Sequence, residues 1–271
     1  MSVAQAQRRN PELVSLLSAD LQPRYEPNFA WKGICGLYQS LPALRGFWPM
    51  SAQINSTQAA YVTDVANNFH LTNYNTAQHG YDDLIPYVDF NGTTQALYYA
   101  DNAQFDILGT EANVVAAQRG LTLGAWITTN LLYDVANKSV MSKMWGDVTY
   151  WLLRGNAGGT MKFGISSNGG WGGWQTVEST ASLDTTQWHL CIGRFTPITT
   201  LDIFLNGIKT SSPTAIASIV NGANEFNIGA SANHTSDWWD GKISMAFICA
   251  AALSDSIIEA IWQQTRAMYG R

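Results

Sequence analysis

The chain has 271 residues and a net charge of −5, and its charged side chains make up 13%, about half the roughly 25% usual for globular proteins. Hydrophobic residues, at 46%, suffice for a buried core and exclude a disordered or fibrous chain; no apolar run reaches the ~20 residues of a membrane helix, so a soluble protein with no membrane partner is expected. Arg8-Arg9 is the only adjacent basic pair, which excludes nucleic acid as a partner, since phosphate binding needs clustered Lys and Arg.

In chain order, the first signal is a short amphipathic helix over Asn10 to Leu21. Asn10 suits the cap, Pro11 the first helical position and Glu12 the first turn, and Leu13, Leu16, Leu17 and Leu21 form the apolar side. Pro23, Pro27, Gly33, Gly36 and Pro42 then punctuate a stretch bearing Tyr25, Phe29, Trp31 and Tyr38. That stretch reads as an extended aromatic arm and not as a core element. Residues 1–43 are therefore expected to be an arm, with Leu13, Leu16, Leu17, Leu21, Tyr25, Phe29 and Trp31 as its anchoring side chains.

From Leu44 onward, short runs of period two alternate with Gly, Asn, Asp or Pro. Strands are expected at 85–90, 95–99, 121–129, 148–154, 160–166, 174–179, 187–195, 200–205, 225–229 and 242–250. So many strands with so few helices indicate an all-β, two-sheet sandwich or barrel over 44–271. Asn206-Gly207 is a type I′ hairpin signal, because both central residues need positive φ. Leu253 to Trp262 predicts one closing helix, capped by Ser254 and with its apolar side formed by Ile257, Ile258, Ile261 and Trp262.

Three cysteines, Cys35, Cys191 and Cys249, cannot all pair, so no disulfide framework is implied. The first residues lack the apolar stretch of a secretory signal. Without a secretory route, the N-x-S/T sequons at Asn55, Asn91, Asn137 and Asn233 read as loop chemistry.

The order of local motifs resembles the laminin-G-like, concanavalin A-like lectin/glucanase jelly roll. Phe47-Trp48-Pro49-Met50 and the turn Asp64-Val65-Ala66-Asn67-Asn68 look like its opening, and Val88-Asp89-Phe90-Asn91-Gly92 with Leu97-Tyr98-Tyr99 like its first hairpin. Leu121 to Ile127 is similar to its central strand, Gln187-Trp188-His189-Leu190 to its Trp-His strand, and Leu201 to Ile208 to its Asn-Gly hairpin. Phe226-Asn227-Ile228-Gly229 and Trp239-Asp240-Gly241-Lys242-Ile243 complete the series before the closing helix. The resemblance implies a two-sheet antiparallel jelly roll, with Trp126, Trp188, Phe204 and Ile228 expected in its core.

Hydrolases that share the architecture set two carboxylates ~5–5.5 Å apart on one strand. Here no strand carries acids at i and i+2 or i+4; Asp82-Asp83 and Asp237 with Asp240 fall in expected loops, so no catalytic residue is assigned. His70, His79, His189 and His234 accompany no nucleophile in a local signature. The resemblance also implies one structural calcium, with Asp64 and carbonyls near Asn67 and Asn68 as ligands. The acid expected opposite them is replaced by Ser244, which weakens the set, and no other cofactor is implied.

Loop tryptophans offer a surface for sugar stacking or protein contact. Trp171 and Trp238 are the candidates, whereas Trp174 and Trp239 adjoin strands and are expected to point inward. Two readings follow. One is a non-catalytic bacteriophage virion protein, on capsid or tail, made in the host cytoplasm and joined to other subunits or its own copies through residues 1–43, with cell-surface polysaccharide as a further contact. The other is a carbohydrate-binding lectin-like module.

Overall fold

The computed structural model describes residues 29–51, 61–83, 85–131, 137–145, 147–154, 159–231 and 233–271. The chain divides into two units, Met1–Gly33 and Ile34–Arg271. The first is described only where it begins helix α1 (Phe29–Gln39). Leu13, Leu16, Leu17, Leu21 and Tyr25 lie outside the described residues, as do the side chains of Phe29 and Trp31.

In the second unit, the alternating runs pair into two antiparallel sheets. The first runs β14 (Ile208–Pro213), β13 (Thr200–Leu205), β12 (His189–Thr196), β7 (Leu121–Ile127), β16 (Asp240–Cys249), β5 (Ile85–Asn91) and β4 (Gln78–Asp82), with β1 (Leu44–Trp48) also against β16. The second runs β11 (Trp174–Ser182), β10 (Thr160–Gly169), β9 (Asp147–Arg154), β8 (Lys138–Trp145), β15 (Phe226–Ile228), β6 (Ala96–Tyr99), β3 (Leu71–Tyr74) and β2 (Tyr61–Val62). Between them lies one apolar layer: Leu121, Leu123, Ala125 and Ile127 meet Tyr150, Leu152, Phe163, Ile165 and Ile228. Each such side chain contributes roughly 1.5–3 kcal/mol when fully buried.

Two positions require glycine. Asn206 and Gly207 take φ of 54° and 80° in the β13–β14 turn, as the I′ signal demands. Gly164 lies beneath Trp151, where a Cβ would come within 2.2 Å of the indole.

All four expected core residues are buried, but only Ile228 lies between the sheets. Trp126 and Phe204 are buried, but on the outer face of the first sheet, because their neighbours Ala125, Ile127, Ile203 and Leu205 hold the inward phase. Trp126 stacks on Tyr269 at 4.0 Å and on Trp262 of the closing helix α2 (Asp255–Thr265) at 5.7 Å. Trp188, just before β12, packs edge-on to the same Tyr269. A third layer therefore covers this face. Period-two alternation says which residues share a face but not that both faces are covered.

Tyr38 belongs to that layer. An extended arm was expected here, but the chain is helical, and Tyr38 is fully buried, stacked on Phe47 at 4.6 Å and edge-on to Phe247. Ile34 and Tyr38 are one helical turn apart and both buried, so packing outweighs the low helix propensity of Gly33 and Gly36. Cys191 and Cys249 are buried and free, and Cys35 is free and half-buried; burial pushes all three thiols up, that of Cys35 to about 11. No helix among the described residues is long and apolar enough to cross a membrane.

Candidate functional site

Leu71 and Leu97 point into the core, so the alternate residues of β3 and β6 point outward. Register pairs Thr72 with Tyr98 and Tyr74 with Ala96, which places Tyr74 and Tyr98 together on the outer face of the second sheet. The loop after β15 adds two more rings. His234 lies 4.3 Å from Tyr74 and 4.6 Å from Tyr98, and Trp238 lies 6.4 Å from Tyr74 with its plane within 9° of parallel.

This loop is held in shape by the backbone. Ser231 and Ser236 bridge to each other, the Ser139 N–H donates to the Asp237 carbonyl, and the Trp239 N–H donates to that of Gly229. Asn233, His234 and Asp237 all have φ near +50°. Their Asn, His and Asp identities suit that left-handed region better than most L residues do. Glu225 orients the imidazole, its Oε2 lying 2.7 Å from His234 Nδ1, while the Glu225 N–H donates to Asn233 Oδ1. Tyr74 keeps 37% of its surface exposed, and Tyr98, His234 and Trp238 are half-buried. The result is a set of fixed ring faces beside a fixed carboxylate and imidazole. Such a surface stacks on the C–H face of a sugar ring and hydrogen-bonds its hydroxyls.

Of the two candidate tryptophans, Trp238 lies in this cluster. Trp171 opens a 3-10 turn, Trp171–Gly173, and its side chain is outside the described residues. Trp239 is buried as expected and donates from Nε1 to the Thr128 carbonyl. Trp174 is not inward: it is 38% exposed and stacks on Trp151 at 4.9 Å. Val177 fixes the inward phase of β11, and three residues earlier the strand faces out. Tyr74, Tyr98, His234 and Glu225 were missed. The alternation through Ala96-Leu97-Tyr98 marks Tyr98 as outward, but no local pattern joins it to His234.

Asp64 has a different task from the one the calcium expectation gave it. It is buried, and its two carboxylate oxygens accept four backbone N–H groups, from Phe47, Ala66, Asn67 and Phe69, each at 2.9 Å. Four donor dipoles converge where a cation would need lone pairs, so these residues do not fit calcium. Ser244 is buried elsewhere, within 2.6 Å of the Pro86 carbonyl and 2.7 Å of the Tyr269 hydroxyl. Among the described residues, no three His, Cys, Asp or Glu side chains form a metal-binding group.

Several other polar groups have structural partners. His189 is buried beside Asn206, and burial, ahead of the opposing pull of Asp184, keeps its pKa below the ordinary value. Asp82 bonds Lys242, and burial pushes Asp89 beside it up. Asn91, in a sequon, accepts the N–H groups of Thr93 and Thr94 and so shapes its own turn.

A family model described as the concanavalin A-like lectin/glucanases superfamily matches residues 102–259. No curated protein matches the chain by sequence. Among solved structures, the binding domain of Paraclostridial Mosquitocidal Protein 1 is similar, with a TM-score of 0.63 and 11% identity over 83% of this chain and 52% of that one. The binding domain of Botulinum Neurotoxin DC in complex with SialylT gives 0.60 and 10%, over 83% and 52%. A botulinum neurotoxin type C structure, described by cell entry dependent on two ganglioside molecules, gives 0.57 and 10%, over 85% and 52%. At these identities the likeness is one of fold, and the chain spans about half the length of each of these structures.

Proposed function

Since the chain belongs to the concanavalin A-like lectin/glucanases superfamily, we propose that it is a non-catalytic carbohydrate-binding module whose contact surface is the cluster of Tyr74, Tyr98, His234 and Trp238. The observation that carries this reading is the pre-set ring geometry around His234 and Glu225, with Tyr74 exposed at its edge. Two fold neighbours are described with sialylated or ganglioside ligands, which supports glycan contact at the level of the fold. Asp82, Asp89 and Asp240 lie close enough to act on one another beside Lys242, whose ammonium bonds Asp82. An acid bonded to a lysine is poorly suited to the two-carboxylate chemistry of a hydrolase, which supports a binding role at this cluster.

Binding of full-length protein to an array of bacterial and animal surface glycans tests the reading. Trp238→Ala and Tyr74→Ala are each expected to weaken retained binding about tenfold or more, with melting nearly unchanged, since each removes one stacking face. Unchanged binding in both variants would assign any glycan contact to another surface.

The placement we propose for this module is the surface of a virion, on capsid or tail. The support is the separate unit Met1–Gly33, whose sequence carries the apolar side Leu13, Leu16, Leu17 and Leu21. Because Ile34–Gln39 is built into the sandwich unit, the attaching segment narrows from residues 1–43 to 1–33. Deleting residues 1–33 is expected to leave melting and glycan binding intact while abolishing incorporation into particles or oligomers. A truncated protein that melts lower or aggregates would make the segment part of the fold.

A further inference from the structure

Four Asn-Gly dipeptides occur in the chain, at Asn91, Asn168, Asn206 and Asn221. This pair is chemically reactive in water. Glycine has no Cβ to shield its amide nitrogen and lets the backbone turn toward the preceding side chain, so that nitrogen can attack the asparagine Cγ. The attack needs a side chain free to rotate and an N–H free to give up its proton.

Three of the four side chains are held. Asn91 Oδ1 accepts the Thr93 and Thr94 N–H groups, each at 3.0 Å, and the Gly92 N–H donates to the Trp239 carbonyl at 2.9 Å. Asn168 Oδ1 accepts the Gly170 N–H at 2.9 Å, and the Gly169 N–H donates to Ser166 Oγ at 3.2 Å. Asn206 Oδ1 accepts the Leu190 N–H at 3.0 Å, and its Nδ2 lies 2.9 Å from His189 Nδ1. Asn221 differs. It is exposed, and it stands in the stretch between β14 and β15, which forms neither helix nor strand. Among the described residues, no group bonds its side chain or the Gly222 N–H.

We infer that Asn221 is a site of spontaneous covalent modification, converting to isoaspartate through a succinimide while the other three asparagines stay intact. The Gly222 nitrogen gives its proton to hydroxide from solvent and bonds Asn221 Cγ; the Cγ–Nδ2 bond breaks, and the side-chain nitrogen takes a proton from water and leaves as ammonia. Water then opens the five-membered ring. Opening at the former main-chain carbonyl leaves a new carboxylate and a chain that runs through the former side chain, longer by one methylene. That extra atom falls in a span pinned at both ends. The Val220 N–H donates to the Ser166 carbonyl at 3.0 Å, and the Asn224 carbonyl accepts from the buried Lys143 ammonium at 2.6 Å. Only residues 221–223 lie between these anchors, so the longer backbone loosens one of them, next to the Glu225 that orients His234. Conversion therefore lowers the stability of the folded protein.

The test is peptide mapping by mass spectrometry of the full-length protein held at mildly alkaline pH, with a sample in strong denaturant as control and electron-transfer fragmentation to tell isoaspartate from aspartate. In denaturant all four asparagines are expected to gain one mass unit at comparable rates. In the folded protein Asn221 is expected to convert about tenfold or more faster than each of the others, which must first open locally and break their hydrogen bonds. Asn221→Gln should remove the fast conversion. Freshly prepared Asn221→Asp carries the charge without the longer backbone and should melt as the parent does, whereas the isoaspartate fraction, separated by ion exchange, should melt lower. Faster conversion at Asn91, Asn168 or Asn206 would overturn the assignment, as would no conversion at Asn221 while the denatured control converts. An isoaspartate fraction that melts with the parent would overturn the loosening of the pinned span.

Discussion

Replacing Lys143 with alanine is expected to destabilise the protein by about 3–5 kcal/mol, the usual consequence of removing one partner from a buried ion pair. For a chain of this size that corresponds to a fall in melting temperature of roughly 6–20 °C. Lys143 has no exposed surface, although it stands in β8. Its ammonium lies 2.6 Å from Asp101 Oδ1, 3.1 Å from Asp106 Oδ1 and 2.6 Å from the Asn224 carbonyl. Asp101 is nearly half exposed and recovers water when the cation is lost; Asp106 is mostly buried and does not. The effect therefore rests on Asp106 and on the carbonyl. Lys143→Met keeps the aliphatic stem and isolates the charge, so it should retain most of the loss, and adding Asp106→Asn should return part of it. Thermal unfolding followed by circular dichroism reads all three. A fall of less than two degrees in Lys143→Ala would mean that water replaces the ammonium at little cost.

The second large effect concerns the layer outside the first sheet. Trp126→Ala is expected to cost about 3–5 kcal/mol, the range for truncating a buried tryptophan. Its ring is held between Tyr269 and Trp262, and its Nε1 donates to Thr265 Oγ1 at 3.1 Å. These partners all belong to the last residues of the chain. Local opening should thus precede global unfolding, and limited proteolysis should cut between Leu253 and Arg271 before the sandwich is attacked. Trp126→Phe retains a stacking face and loses only the indole bond, so it should cost distinctly less. Equal protease resistance in Trp126→Ala and the parent protein would show that α2 is held by other contacts.

These two positions also show where sequence reading works and where it stops. Runs such as Leu121 to Ile127 and Leu201 to Leu205 are apolar and short, and their strands lie where the pattern puts them. Strand β8 was not foreseen, because its run, Lys138 to Trp145, carries two lysines and two register shifts that break the period. A buried lysine is intelligible only beside Asp106, 37 positions away. Strands β3 and β4 are short and polar, so nothing in their composition separates them from loop. The aromatic cluster poses the same difficulty at larger scale. Trp238 stands out as a loop tryptophan, but Tyr74, Tyr98 and Glu225 join it only through strand register and a loop shaped by positive φ angles. Asp64 was visible as the key acid of its turn. Its role was misread because nothing in its residue type distinguishes a carboxylate that binds a cation from one that gathers four amide hydrogens.

One edge of the first sheet bears on how the molecules behave when crowded. Strand β14 pairs only with β13 within its sheet, and its outer rim carries exposed Ile208, which would invite another chain to add a strand. Pro213 closes that rim with a residue that has no N–H to give, and Lys209, one position after Ile208, places a charge on it. A neighbour arriving edge-on finds a six-residue ladder that is interrupted at one end and charged at the other. Copies brought edge to edge are thereby hindered from fusing into a continuous sheet.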